Sequence, residues 1–341
     1  MRLAKALLLA STFLSTSGLS ALAEINVVTS IKPVHSLVSA VMEGVGEPGL
    51  IVDGAGSPHN FAMKPSQAQM LESANVIFWV SHELEAFLEK PLETVGANAK
   101  SVEMMDAHDL VKLSFREGGA FEKHNHEDHD EEGHSDEAKS HDDDHDHDHD
   151  HDKEETAKKD DHEGHEHGKY DAHIWLDPAN AKAMIHEIEE VLVAADPQNA
   201  KKYEANAEQV MARLDTLINE VSATLEPVKD NGFIVFHDGY QYFENRFGVT
   251  ASGSITVSPE VLPGAERLTE IRSTINELGA TCVFAEPQFE PKLVTTVTEG
   301  TKAKSAVLDP LGTSLKNGAQ LYFDLIRNMA SSVKTCLSKA S

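Results

Sequence analysis

Residues 197–227 read PQNAKKYEANAEQVMARLDTLINEVSATLEP, and apolar side chains recur in this stretch every three or four positions. The recurring positions are Ala207, Val210, Leu214, Leu217, Val221 and Leu225. This spacing predicts an α-helix with one apolar face. At about 1.5 Å per residue the helix would span roughly 45 Å, which is longer than one small lobe. We therefore expect a single helix that bridges two lobes, and the alternative is two helices with an unmarked break.

On both sides of this segment, short apolar strands alternate with helical stretches. The main predicted strands lie at 25–30, 50–52, 76–80, 233–236, 281–285 and 306–308. Strands that alternate with helices across short loops predict an α/β fold with mainly parallel sheets covered by helices.

These patterns divide the chain into regions of ordinary domain size. We place an N-terminal lobe at 24–196, the bridging helix at 197–227 and a C-terminal lobe at 228–341. In open α/β sheets, ligands bind outside the carboxyl ends of the strands. We therefore expect a ligand to bind at the carboxyl ends of the strands.

The first 23 residues have the features of a signal peptide. A basic start with Arg2 and Lys5 precedes an apolar stretch, which ends in Ala21-Leu22-Ala23, a small-x-small cleavage pattern. We expect export to the periplasm and a mature chain that begins near Glu24. The alternative is an ordinary amphipathic helix. No cysteine follows the apolar stretch, so we expect no lipid anchor.

The formal net charge of the 341-residue chain is -28. Nucleic acids and anionic membrane surfaces require a basic patch, so this charge argues against both as partners and fits a cationic ligand. The two cysteines, Cys282 and Cys336, fit one disulfide in an oxidising compartment. The alternative for them is two free buried thiols.

Residues 117–169 differ in composition from the rest of the chain. They hold 12 of the 19 histidines and 22 acidic residues against 6 lysines. With so few apolar side chains the segment cannot bury enough surface to offset its ordering entropy. We therefore predict a disordered His/Asp-rich insertion.

Within the insertion, histidine and aspartate alternate almost perfectly from Asp142 to Asp152. We expect this tract to bind divalent ions loosely, as an auxiliary metal loop near the cleft. Its central histidines are His141, His145, His147, His149 and His151. The alternative is a solvated acidic linker with no essential role.

Three of the seven histidines outside the insertion follow predicted strands or open structured loops. His59 comes after a strand and a glycine-rich turn, His173 opens an apolar segment, and His237 ends the run Phe-Ile-Val-Phe. Three imidazoles with an open fourth place form a common Zn2+ arrangement. Sequence spacing alone does not show that they converge. A zinc hydrolase uses the same pattern, but the chain lacks HExxH and a nucleophile elbow.

Several segments carry a resemblance to a known family. They are GSPHNFAMKPS at 56–66, DAHIWLDP at 171–178, FHDGYQYF at 236–243, FAEPQF at 284–289 and LDPLG at 308–312. Together they resemble the metal-specific solute-binding proteins of ABC importers, and in particular the zinc-uptake branch (ZnuA type). The resemblance runs from about Ile25 to Cys336. It implies two α/β lobes joined by one long rigid helix, with a metal held between them.

The resemblance also implies a ligand set. Carried over by motif, His59, His173 and His237 would bind Zn2+. Some zinc relatives have a glutamate ligand directly before the first histidine, where this chain has Pro58. The fourth position would then go to Asp309, to water or to a loop histidine, and we favour Asp309. Glu286 is expected to have a supporting rather than a ligating role.

The resemblance implies a carrier and not an enzyme. We expect a periplasmic monomer that captures Zn2+ and delivers it to a membrane permease driven by a cytoplasmic ATPase. Its contact with the membrane would be peripheral, through the permease, and a periplasmic zinc chaperone could supply it. The alternatives are a carrier of manganese or another divalent metal, a zinc hydrolase, and a surface adhesin. Manganese-type relatives have a carboxylate where this chain has His237, so imidazole there favours zinc.

Overall fold

The computed structural model describes residues 25–116, 121, 169–256, 263–277 and 282–338. The predicted signal peptide and the five histidines of the auxiliary loop lie outside the described residues. Among the described residues, none of the helices combines the length and apolar character that crossing a bilayer requires.

The N-terminal sheet consists of four parallel strands in the order β2-β1-β3-β4. The strands are β1 (Val27–Ile31), β2 (Gly49–Val52), β3 (Val76–Trp79) and β4 (Lys100–Glu103). The associated helices are α1 (Lys32–Val41), α2 (Pro65–Ser73) and α3 (Glu89–Glu93). We did not predict β4, because this edge strand has the mostly polar sequence Lys-Ser-Val-Glu, and its first two residues are exposed.

The C-terminal sheet repeats this arrangement in the order β6-β5-β7-β8, again with parallel strands. Its elements are β5 (Phe233–His237), α6 (Gln241–Phe247), β6 (Ala251–Thr256), α7 (Ala265–Glu277), β7 (Cys282–Ala285), α8 (Lys292–Thr298), β8 (Lys304–Val307) and α9 (Leu321–Leu337). The predicted disulfide between Cys282 and Cys336 is present, and it joins β7 to α9. Two parallel α/β sheets confirm the predicted fold class.

Between the sheets in sequence lie α4 (Pro178–Ala195) and α5 (Ala200–Leu225). The prediction of one long helix is confirmed, since α5 runs unbroken for 26 residues, or about 39 Å. It begins three residues after Pro197 and ends just before Glu226, slightly inside the predicted range. The six apolar residues whose spacing predicted the helix are all buried.

The long helix packs against elements from both halves of the chain, including α1, α4 and α9. One continuous cluster of buried apolar side chains includes residues of both sheets and of α5. Opening the lobes widely would expose part of this shared core, so the packing favours small movements.

Candidate metal centre

His59 lies in a short 3-10 turn, Pro58–Asn60, that follows β2 and a glycine-containing loop. The Ser57 hydroxyl accepts a hydrogen bond from the His59 backbone N–H at 3.3 Å and caps this turn. Phe61 packs behind the turn on Phe87, with ring centroids 5.2 Å apart. The imidazole of His59 is therefore held by a small turn that follows the carboxyl end of β2.

His173 lies just before the 3-10 turn that leads into α4, and its side chain is buried. Its Nδ1 is 2.7 Å from Oδ1 of Asp171, which also accepts the backbone N–H of His173 at 3.0 Å. The backbone carbonyl of Asp171 in turn accepts a hydrogen bond from the Tyr242 hydroxyl at 2.8 Å. This loop is therefore tied to the C-terminal half of the molecule.

His237 is the last residue of β5 and is 3% exposed. Its Nδ1 is 2.6 Å from Oε1 of Glu286, the residue that follows the neighbouring strand β7. Parallel strands place their carboxyl ends at one edge of the sheet, which explains how residues 49 positions apart meet here. Glu286 thus has the supporting position that we predicted for it.

The three imidazoles converge. Their ring centroids are 5.1–5.8 Å apart, and one nitrogen from each ring lies within 4.8 Å of the others. Within the described ranges, no other group of three His, Cys, Asp or Glu side chains comes this close together. Sequence spacing could not establish this convergence, because it depends on how the two sheets pack.

The carboxylates determine which nitrogens face the centre. A carboxylate only accepts hydrogen bonds, so Nδ1 of His173 and Nδ1 of His237 carry protons, and in the neutral form of each ring Nε2 keeps its lone pair. These two Nε2 atoms are 3.2 Å apart. At that distance the two nitrogens either share a proton in a hydrogen bond or bind one cation together. Two nitrogens that bind one tetrahedral Zn2+ at 2.0–2.1 Å would be about 3.3 Å apart.

The ionisation of these groups reflects the same contacts. Burial would lower the pKa of His237, but the nearby carboxylates, Glu286 first and then Asp171 and Asp238, together outweigh burial and raise it. Burial would raise the pKa of Asp171, but its contacts with His173 bring it below its usual value. Burial, together with the two neighbouring imidazoles, holds the pKa of His59 well below its usual value. His59 is therefore neutral, which is the form that binds a metal.

Gly239 allows the close approach of the protein backbone to this centre. A Cβ atom at this position would lie 2.4 Å from Nε2 of His237 and 2.9 Å from Nε2 of His173. Any side chain would therefore occupy the space that an ion needs. Sequence analysis missed this role, although the glycine two positions after a candidate ligand was a usable signal.

Asp309, our favoured fourth ligand, does not belong to the group of converging ligand atoms. Its Oδ1 accepts hydrogen bonds from the backbone N–H groups of Leu311 and Gly312, and its Oδ2 accepts from the N–H and hydroxyl of Thr313. The carboxylate therefore organises the turn after β8. Pro310 and Leu311 of this turn line the cavity beside the histidines.

The cavity in front of the imidazoles is small, with free space of about 10 Å³, roughly that of one water-sized sphere. Apart from the histidines it is lined by Ser57, Pro58, Trp175, Glu286, Gln288, Phe289, Pro310 and Leu311. Pro58 offers no ligand atom to this cavity.

Ser114 and Tyr170, which flank the predicted insertion, form an antiparallel bridge. Next to this bridge, Arg116 pairs with Asp238 and Glu244 of the C-terminal half. Burial would lower the pKa of Arg116, but these two carboxylates outweigh it and raise the pKa. Sequence analysis did not single out Arg116, because nothing in its local pattern identifies partners more than 120 positions away.

Comparisons with known proteins agree with this architecture. The family model described as zinc-uptake complex component A periplasmic (ZnuA) matches residues 27–336. The chain is 56% identical over 335 residues to the high-affinity zinc uptake system protein ZnuA of Brucella suis biovar 1 (strain 1330), with 98% of each chain covered. It is 37% identical to the protein of the same name from Yersinia pestis, over 98% of this chain and 96% of that one.

A solved structure described as the crystal structure of ZnuA has the same fold, with a TM-score of 0.70 at 22% identity. The match covers 92% of this chain and 99% of that one. The sequence relatives, the family model and two parallel sheets around a three-histidine centre all agree. The chain therefore belongs to the ZnuA family of periplasmic zinc-uptake components.

Proposed function

We propose that this protein captures one Zn2+ ion with Nε2 of His173, Nε2 of His237 and an imidazole nitrogen of His59. The observation that carries the proposal is the 3.2 Å separation of the first two nitrogens, each directed by a carboxylate on its Nδ1. That separation matches two ligands of one tetrahedral Zn2+ ion, and the carboxylates on the two Nδ1 atoms leave both Nε2 atoms free to bind it. The names of the sequence relatives, which describe zinc uptake, support the same conclusion.

The composition of the site favours zinc over harder ions. Imidazole nitrogens suit Zn2+, whereas Mn2+ prefers carboxylate and carbonyl oxygens. The two nearby carboxylates, Asp171 and Glu286, are each engaged by a histidine Nδ1. This argues against a manganese carrier.

The family consists of solute-binding transport proteins and not of enzymes. The geometry is consistent with transport, because free space of about 10 Å³ leaves no room for an organic substrate beside the ion. This argues against a zinc hydrolase.

Delivery follows from membership of a zinc-uptake complex. We propose that residues 1–23 direct export to the periplasm, where the monomeric protein passes Zn2+ to an ABC permease driven by a cytoplasmic ATPase. A periplasmic zinc chaperone could load it. We also propose lobes at 24–196 and 228–341 joined by the segment 197–227, with 117–169 as the auxiliary metal-binding insertion.

A competition titration of Zn2+ against a chelator of known affinity tests this proposal on the mature chain. We expect one tight equivalent, which is strongly weakened in His173→Ala, His237→Ala and His59→Ala. Deleting 117–169 should remove weaker equivalents and leave the tight one. If all three single variants bind like the parent, the cleft is not the site. If the deletion removes the tight equivalent, the insertion supplies an essential ligand.

A further inference from the structure

One polar atom at the edge of the metal cavity has no partner in the structure. Gln288 lies three residues after β7 and lines the cavity together with the three histidines. Its Oε1 is buried and accepts no hydrogen bond. A buried carbonyl oxygen without a partner is unfavourable, so such an atom calls for an explanation.

Asp309 determines the orientation of this amide. The Nε2 of Gln288 donates to Oδ1 of Asp309 at 3.2 Å. Turning the amide over would bring its carbonyl oxygen against the carboxylate, and both would be acceptors. Since the Asp309 carboxylate is itself held by the N–H groups of its own turn, it keeps Oε1 of Gln288 directed away from it.

The other polar side chains around the cavity are already engaged. Ser57 Oγ accepts from the His59 backbone, and Oε1 of Glu286 contacts Nδ1 of His237. The indole N–H of Trp175 donates to the carbonyl of Pro310 at 2.8 Å. Among the described residues that line the cavity, Gln288 therefore holds the one buried side-chain oxygen without a hydrogen-bond partner.

We propose that a water molecule occupies the fourth coordination position of the metal and that Oε1 of Gln288 accepts a hydrogen bond from this water. This proposal rests on the proposed zinc site. Three imidazoles leave one tetrahedral place, and an open place in a zinc site commonly holds water. The metal polarises this water and makes it a strong donor, which matches the unpartnered Oε1. Asp309 thus acts through Gln288 as a positioning residue and does not bind the metal.

Gln288→Leu tests the proposal, because leucine has a similar size and no acceptor. We expect the Kd for Zn2+ to rise roughly tenfold to a hundredfold, the range for a hydrogen bond to a charged group. The visible spectrum of the Co2+-loaded protein should change as well, because it reports the ligand field at the fourth position. Gln69→Leu, an exposed position on α2, is the matched control and should change neither measurement.

A crystal structure of the zinc-loaded parent provides a second test that does not depend on the folding of a variant. We expect an oxygen atom bound to Zn2+ and within about 3 Å of Oε1 of Gln288. A direct bond between Zn2+ and Oε1, or a fourth ligand from another residue, would overturn the proposal. So would a Gln288→Leu protein with the affinity and Co2+ spectrum of the parent.

These outcomes are separable from failure of the zinc site itself. If the parent shows no tight equivalent of Zn2+, the proposed function is wrong. If the parent binds tightly, the histidine variants lose the ion and Gln288→Leu is unchanged, only the role of Gln288 is wrong.

Discussion

The metal centre has two unlike parts, the His173–His237 pair and the turn that carries His59. Each imidazole of the pair is buried and oriented by a carboxylate that accepts from its Nδ1. His59 is partly exposed and lies on a turn of three residues, with the Ser57 cap on its backbone and not on its ring. The pair is therefore oriented before any ion arrives, whereas no carboxylate among the described residues holds the His59 ring.

This difference suggests a division of labour in a carrier that must both bind and release its ion. A pair of oriented nitrogens can receive Zn2+ with little loss of side-chain entropy. The imidazole of His59 can then bind last, and its departure would break no hydrogen bond to a carboxylate. We expect release to begin at His59, and the predictions below test this asymmetry.

The largest effect is expected from removing a member of the pair. His237→Ala should raise the Kd for Zn2+ about a thousandfold, because it removes a ligand and leaves the Glu286 carboxylate buried and unpaired. His59→Ala should raise it only about a hundredfold, because the remaining pair keeps its geometry. Competition titrations under identical conditions measure both values. An equal or larger rise in the Kd of His59→Ala would contradict the difference that we infer between the pair and His59.

The free energy of unfolding should depend on pH through Glu85, which lies in the segment that packs behind the His59 turn. Phe87, which packs on Phe61, lies in the segment held by Glu85, whose Oε2 accepts from the N–H groups of Val80 and Ser81. Complete burial raises the pKa of Glu85 from 4.5 to about 7.

The folded protein therefore keeps a proton on Glu85 up to about pH 7, whereas the unfolded chain releases it near pH 4.5. The contribution of this group to the free energy of unfolding is present at low pH and is lost as pH rises through that window, by about 3 kcal/mol. Denaturant unfolding of the metal-free protein at pH 5 and pH 8 measures this loss. Glu85→Gln should remove that part of the pH dependence, and an unchanged difference between the two pH values would contradict the assignment.

A smaller effect on zinc affinity should follow from weakening the hydrogen bond that orients one member of the pair, while the histidine itself is kept. Glu286→Gln keeps the shape of the side chain but weakens its hold on Nδ1 of His237. We expect a rise in the Kd for Zn2+ of roughly tenfold to a hundredfold, which is typical of supporting residues around a metal. Glu208→Gln, exposed on α5, is the control. A zinc affinity equal to that of the parent would mean that orientation by Glu286 does not distinguish the pair from His59.

The smallest effect on zinc binding is expected from a substitution in the aromatic contact behind the His59 turn. Phe61→Ala removes a ring that packs on Phe87, a contact of about 0.5–1.5 kcal/mol. The dissociation rate of Zn2+, measured by stopped-flow transfer to a chelator, should rise about threefold to tenfold. The rate of binding should change less. If dissociation is unaffected while Glu286→Gln accelerates it, release begins at the pair.

The three histidines and Asp309 show what the sequence could predict at the site and what it could not. His59, His173 and His237 stood out because each lies next to a strand end or opens a structured loop. Their zinc-binding role stays a prediction, although the structure brings them together. Asp309 follows a strand in the same way, but its own turn engages both of its oxygens. Position along the chain cannot distinguish a carboxylate that faces the cleft from one that caps a loop.

By itself, the sequence predicted the α/β fold class, the single long helix and one disulfide between Cys282 and Cys336. Helix and strand patterns are local, and two cysteines allow one pairing. Only the tertiary structure decided which side chains face the ion, because their partners lie far apart in the chain. Glu286 orients His237, Asp309 orients Gln288, and Gly239 leaves space beside two imidazoles. These are properties of distance and direction, which arise when the sheets and loops pack together.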